Sequence, residues 1–202
     1  MLQGKRVLII GFGNIARELC PRLLPFGVRI SALRRSPWGA APLDPASRAA
    51  EAALEDRGTW PQDALRLAAE ADVVVVTCKQ DAANAGMVGA DFLAACRPGV
   101  RLVNVARGGL LDYAAVAQAL ESGKIGGMGL DVQFSEPCDP DDYVARHPAV
   151  YLTPHVAGVT EQSCERPPAP SPPRIFYRGG GVWPACQSVC QSASVLLAST
   201  TR

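Results

Sequence analysis

The chain has 202 residues, of which 48% are hydrophobic and 19% charged, so it can bury a core and does not have the composition of a disordered polyelectrolyte. Twenty Lys plus Arg against nineteen Asp plus Glu leave a net charge of +1, which gives no field for gripping a phosphate backbone or an anionic bilayer, so no nucleic-acid or membrane partner is expected. Seven Cys, an odd number without a C-x-x-C pair, fit reduced thiols in a cytosol-like compartment, and a cytoplasmic protein is the expectation.

The first residues, Met1 to Arg6, lead into only four aliphatics, Val7 to Ile10, before Gly11 interrupts, which makes neither a signal h-region nor a membrane span. Short aliphatic runs then recur along the chain, each followed by a helical pattern: Arg6 to Ile10, Val28 to Leu33, Asp72 to Thr77, Arg101 to Ala106, Gly127 to Val132 and Ala149 to Thr153. The runs are apolar almost throughout instead of alternating, as parallel strands covered on both faces require. Six strand-then-helix units predict a doubly wound α/β sandwich, a Rossmann-type fold.

The first run passes directly into Gly11-Phe12-Gly13-Asn14-Ile15-Ala16, a G-x-G-x-x-G/A turn placed where a strand gives way to a helix. Gly11 would allow the tight turn, Gly13 the approach of a pyrophosphate to the backbone, and Ala16 close packing of helix on sheet, with the amides of Asn14 and Ile15 at the helix N-terminus. A glycine turn used only for chain reversal is the alternative. The following helix, Asn14 to Phe26, contains Pro21, which predicts a kink.

The second run ends Leu33-Arg34-Arg35-Ser36, where an acid holding the adenosine ribose would otherwise stand. Two guanidinium groups beside a hydroxyl suit a 2′-phosphate dianion, which predicts NADP(H) in preference to NAD(H); two solvated surface arginines are the alternative. Farther on, Asp112 is expected to cap a helix whose Val116, Ala119 and Leu120 share one face, with Gly123 as its left-handed stop. After Ser163 the composition changes: five Pro fall between 167 and 173, then come Gly179-Gly180-Gly181 and a Ser/Gln/Cys-rich end. The reading is one dinucleotide-binding domain over 1–163 and a disordered tail over 164–202.

Three later segments bear on chemistry: Val103-Asn104-Val105-Ala106-Arg107-Gly108-Gly109-Leu110-Leu111-Asp112, Gly129-Leu130-Asp131-Val132-Gln133-Phe134-Ser135-Glu136-Pro137, and Leu152-Thr153-Pro154-His155-Val156-Ala157-Gly158. In this order behind the glycine turn, they resemble the nucleotide-binding domain of the D-isomer-specific 2-hydroxyacid dehydrogenases, the family of phosphoglycerate dehydrogenase and glyoxylate/hydroxypyruvate reductase. The resemblance spans roughly Gly4 to Ser163. It implies Arg107 as the catalytic arginine, Glu136 as the acid and His155 as the histidine, at separations of 29 and 19 positions.

That trio also makes chemical sense by residue type. A planar, permanently charged Arg107 can fix the carboxylate of a 2-oxoacid and polarise its carbonyl, and His155, oriented by Glu136, can supply the proton to the new alkoxide. A satisfied packing histidine is the alternative for His155, and His147 reads as surface. The resemblance implies contact of Cys78 and Lys79 with the adenosine, although Lys79 replaces the Pro usual there. It implies cofactor contacts at Ala106, His155 and Gly158, and at Asp131, for which a structural carboxylate is the rival role. No metal is expected.

Two departures from the family complete the reading. The family's substrate domain, mostly N-terminal to the glycine turn, and its closing helix beyond Ser163 are both expected to be missing, with an altered reading frame or alternative exon as the suggested origin of the tail. Two functions follow: a reductase of small 2-oxoacids such as glyoxylate or hydroxypyruvate, or a dinucleotide-binding module without turnover. The resemblance also implies a homodimer, and an uncovered domain-cleft face would favour self-association.

Overall fold

In a computed structural model, residues 1–39 and 44–158 are described; the tail reading for 164–202 lies outside them. Seven strands form one parallel sheet in the order β3-β2-β1-β4-β5-β6-β7. They are β1 (Arg6–Ile10), β2 (Arg29–Arg34), β3 (Asp56–Thr59), β4 (Val73–Val76), β5 (Val100–Asn104), β6 (Ile125–Leu130) and β7 (Val150–Leu152). The six expected strands are present, the first with the expected ends and the others with ends shifted by one or two residues. The seventh, β3, is an addition: Asp-Arg-Gly-Thr carries no apolar run because this edge strand pairs only with β2 and leaves Arg57 exposed.

Alternate residues of one strand feed two cores. Leu8 and Ile10 of β1 join the packing of α3 (Ala64–Glu70), α4 (Ala90–Ala95), α5 (Tyr113–Glu121) and α6 (Tyr143–Arg146), whereas Val7 and Ile9 join that of α1 (Asn14–Leu23) and α2 (Pro45–Ala52). Leu8, Ile9 and Ile10 are each no more than 1% exposed. At about 1.5–3 kcal/mol per fully buried large aliphatic side chain, this interior strand anchors both helical layers to the sheet.

The helix ends follow their sequence signals. Asp112 caps α5 by accepting the Ala115 amide at 2.9 Å, Val116, Ala119 and Leu120 are buried, and Gly123 adopts φ 71°. α1 runs through Pro21 to Leu23, then tightens into a 3-10 turn, Leu24–Phe26, that ends at left-handed Gly27. Strand order reverses between β1 and β4. Outside their carboxyl ends lies the crevice where ligands of open α/β sheets bind.

Candidate active site

Gly11 lies at that reversal with φ 94°, and a Cβ on it would fall 2.5–2.7 Å from Cβ, Cα and N of Cys78 after β4. The two loops therefore touch only because residue 11 is glycine. Gly13, the N-cap of α1, has the opposite surroundings: a Cβ would meet nothing within 4 Å. By helix geometry the first-turn amides, including those of exposed Asn14 and Ile15, have no intrahelical acceptor, and Gly13 has no side chain to offer one. Open space in front of unsatisfied donors fits the pyrophosphate of a dinucleotide. Thr77 braces the turn by donating to the Gly11 carbonyl at 2.6 Å.

At the end of β2 neither arginine stands free. Arg34 donates through Nε and Nη2 to Ser36 Oγ (3.0 and 2.8 Å), lies 3.6 Å from buried Glu51 of α2, and stacks over Trp38 at 5.1 Å. Arg57 of β3 reaches the same Trp38 ring at 5.7 Å and the same Glu51 at 3.9 Å. Exposed Arg35 pairs with Asp81 at 2.8 Å, holding that carboxyl below the usual range. Burial pushes the Cys78 thiol up, which keeps it protonated, and Lys79 is exposed.

The Arg107 loop is shaped by Asn104, fully buried at the end of β5, which donates to the Arg107 carbonyl (2.8 Å) and accepts the amide of buried Ala106 (3.0 Å). The guanidinium is exposed, donates to the Ala106 carbonyl at 2.6 Å, and makes no ion pair among the described residues. Gly108 has its purpose here too: a Cβ would stand 1.9 Å from the Gln133 carbonyl oxygen. This close contact seats the Arg107 loop against the segment that carries Glu136.

His155 and Glu136 form a pair, with Nδ1 3.0 Å from both carboxylate oxygens. Burial alone would push the Glu136 carboxyl up. The hydrogen bond from His155, the Gln133 amide and the charges of His155 and Arg107 together outweigh it, so the carboxyl is held below its usual range. His155 adopts φ 54°, a left-handed backbone that costs about 1–2 kcal/mol for an L-residue. Buried Asp131 holds the loop in that shape by accepting the amides of Val156 (3.0 Å) and Ala157 (2.9 Å) and the hydroxyl of Thr153. Both Asp131 oxygens are thus engaged by the His155 loop. Gly158 follows in an exposed turn.

His147, expected at the surface, is instead half-buried: its Nδ1 accepts the Ala149 amide and its ring lies against Tyr143. Asn104, Thr77, Glu51 and Arg57 are site-forming residues that the sequence reading missed. A lone polar residue closing an apolar run was the available signal for Asn104; Glu51 and Arg57 are brought in by α2 and β3, neither of which had been read as an element. Among the described residues no cluster of three His, Cys, Asp or Glu could hold a metal ion, and no helix is long and apolar enough to cross a membrane.

With this geometry, comparison with known proteins is decisive. The profile of the "D-isomer specific 2-hydroxyacid dehydrogenase, NAD binding domain" matches residues 1–157. The chain belongs to that family. As a 2-hydroxyacid dehydrogenase domain it is 34% identical to a D-3-phosphoglycerate dehydrogenase of Mycobacterium leprae over 163 residues, 81% of this chain and 28% of the relative. The crystal structure of a glyoxylate reductase from Paecilomyes thermophila aligns with TM-score 0.66 and 30% identity over 80% of this chain and 45% of its own. A D-isomer specific 2-hydroxyacid dehydrogenase from Xanthobacter autotrophicus Py2, in complex with NADPH and MES, aligns with TM-score 0.66 and 26% identity over 77% and 60%. The dehydrogenase domain spans between 28% and 50% of the length of such curated relatives. The family profile gives a nicotinamide dinucleotide as the cofactor class, and the Gly11–Gly13 turn leaves room for its pyrophosphate.

Proposed function

We propose that this protein is an NADP(H)-dependent reductase of small 2-oxoacids of the glyoxylate or hydroxypyruvate type. The observation that carries the reading is the His155–Glu136 pair, with Arg107 near enough to act on Glu136, at the sheet edge that also bears the Gly11–Gly13 turn. Glu136 accepts from Nδ1, which leaves Nε2 of His155 to deliver a proton to the developing alkoxide. The fork of Arg107, which among the described residues donates to one backbone carbonyl, is available for the substrate carboxylate. A dinucleotide held at Gly11, Gly13, Asn14 and Ile15, with Cys78, Lys79, Ala106 and Gly158 around it, supplies the hydride. Asp131 acts by holding the His155 loop.

The preference for NADP(H) rests on Arg34 and Arg35 with Ser36 at the end of β2, Arg57 of β3 adding a third guanidinium beside Trp38. Glu51 and Asp81 offset part of that charge, so the expected preference is modest. The thiols of Cys20, Cys78 and Cys96, outside any disulfide, support a cytoplasmic location, and a homodimer is the expectation carried by the resemblance.

A second reading, a dinucleotide-binding module without turnover, has one observation in its favour: the side chains of His155 and Glu136 are 42% and 44% exposed, and reduction of a carbonyl profits from excluding water. NADPH oxidation with glyoxylate and with hydroxypyruvate separates the two. The reductase predicts substrate-dependent oxidation that falls about 100- to 10,000-fold in His155→Ala. Saturable NADPH binding with no substrate-dependent rate would replace it with the module.

A further inference from the structure

The side chain of Gln133, three residues before Glu136, has no part in the roles above, yet the residue meets the loops of Arg107, Glu136 and His155. Its main-chain amide donates to Glu136 Oε1 at 3.1 Å. Its carbonyl oxygen lies against Gly108, the residue after Arg107, so closely that a Cβ there would overlap it. Its side-chain Nε2 donates to the Thr153 carbonyl at 3.3 Å, and that same carbonyl accepts the backbone amide of His155 at 2.9 Å. The two contacts to the first loops are made by backbone and survive substitution by any residue but Pro. The contact to the third is made by the side chain and depends on the residue being Gln.

We propose that Gln133 is a positioning residue whose side-chain amide fixes the Thr153 carbonyl, and through it the left-handed backbone that presents the His155 ring to Glu136. Thr153-Pro154-His155 is a three-residue turn closed by the His155 amide on the Thr153 oxygen, so the plane of that carbonyl sets the direction in which residue 155 leaves the turn. Asp131 restrains Val156 and Ala157 after His155 and the Thr153 hydroxyl before it, and the Gln133 side chain restrains the Thr153 carbonyl. Without the amide, one side of the turn loses its tether to the Glu136 segment.

The inference rests on the proposed pairing of His155 with Glu136, and its first test needs no turnover. The chain has two histidines, so long-range proton–nitrogen correlation spectra give two imidazole patterns, assigned with His155→Ala. At a pH where both rings are neutral, His155 of the unaltered chain is expected mainly with the proton on Nδ1, facing Glu136. His147, whose Nδ1 accepts a backbone amide, carries its proton on Nε2 and serves as the internal standard. Gln133→Met keeps the length of the side chain without a donor, and Gln133→Glu keeps its shape while facing the Thr153 carbonyl with a carboxylate.

Both variants are expected to shift the His155 pattern toward the Nε2–H form by at least half, with His147 unmoved. If turnover is present, kcat should fall about tenfold with KM for NADPH unchanged. Glu136→Gln marks the pattern of a ring that has lost its carboxylate. A His155 pattern in Gln133→Met and Gln133→Glu identical to that of the unaltered chain overturns the proposal, as do equal changes at His147. Absence of turnover with a Gln133-dependent His155 pattern sinks the reductase reading alone.

Discussion

The two edges of the parallel sheet both gather charge, and they use it in opposite ways. At the edge where strands begin, acids and bases neutralise one another: Asp72 accepts the Arg6 amide and pairs with Lys5 (3.6 Å) and Arg97 (3.5 Å), Arg6 pairs with Glu70, and Arg66 with Asp56. At the edge where strands end, Arg34 with Glu51, Arg35 with Asp81 and His155 with Glu136 are paired as well, and Thr77, Asn104 and Asp131 bend the loops, while Arg107 at a loop tip has no carboxylate within ion-pair distance among the described residues. The pairs where strands begin hold the fold together, whereas the charges where strands end, paired or not, stand on loops held by buried neighbours and face the ligand crevice. This division gives separate consequences for substitution at each edge.

The largest effect is expected from Gly108→Ala. A Cβ 1.9 Å from the Gln133 carbonyl cannot be relieved by a side-chain rotation, so the Arg107 loop must leave the Glu136 segment. A loss of about 3–4 kcal/mol in urea unfolding is expected, together with loss of the His155–Glu136 imidazole pattern. Full stability with an unchanged pattern would show that the loops are not seated on one another. Asp131→Ala comes next, at about 3 kcal/mol, because two loop amides and the Thr153 hydroxyl lose a charged acceptor at a buried position. Asp131→Asn should recover part of this; equal losses would argue that charge, not hydrogen bonding, holds the loop.

Glu51→Gln probes the strand-end edge without touching a loop that carries Arg107, Glu136 or His155. Glu51 is 8% exposed and lies beside both Arg34 and Arg57, so neutralising it frees guanidinium charge next to the proposed 2′-phosphate position. The ratio of NADPH to NADH affinity is expected to rise about five- to tenfold, the equivalent of roughly 1–1.4 kcal/mol, by titration of each cofactor. An unchanged ratio would move the phosphate away from Arg34.

What could be read from the residues alone follows the same division. The strands announced themselves because β1, β2, β4 and the others are buried on both faces, and Asp112, Gly123 and the Gly11 turn are local signals, complete within a few residues. β3 was silent because an edge strand with Asp56 and Arg57 carries no apolar run. Arg107, Glu136 and His155 are 29 and 19 positions apart, and only resemblance to a family joined them before the fold did. The supports were harder still: that Asn104 turns back on Arg107, or that Glu51 meets Arg34, follows from which loops and helices end up adjacent, and one chain's residue pattern does not state that.

The smallest expected effect belongs to the strand-start edge and has a sign fixed by linkage. The Arg6 amide, outweighing burial and aided by Lys5 and Arg97, holds the Asp72 carboxyl below its ordinary value. A carboxyl whose folded pKa lies below its unfolded one stabilises the native state fully above the unfolded value, about 3.9, and loses that contribution as pH falls through the folded value. Asp72→Asn should therefore cost about 1 kcal/mol near neutrality and almost nothing in acid, so the two denaturation curves converge as pH drops below about 4. The same substitution should leave cofactor affinity and the His155 pattern untouched. A variant that lost either would break the separation between the edges, since Asp72 would then be acting across the whole length of β4 on a loop it does not touch.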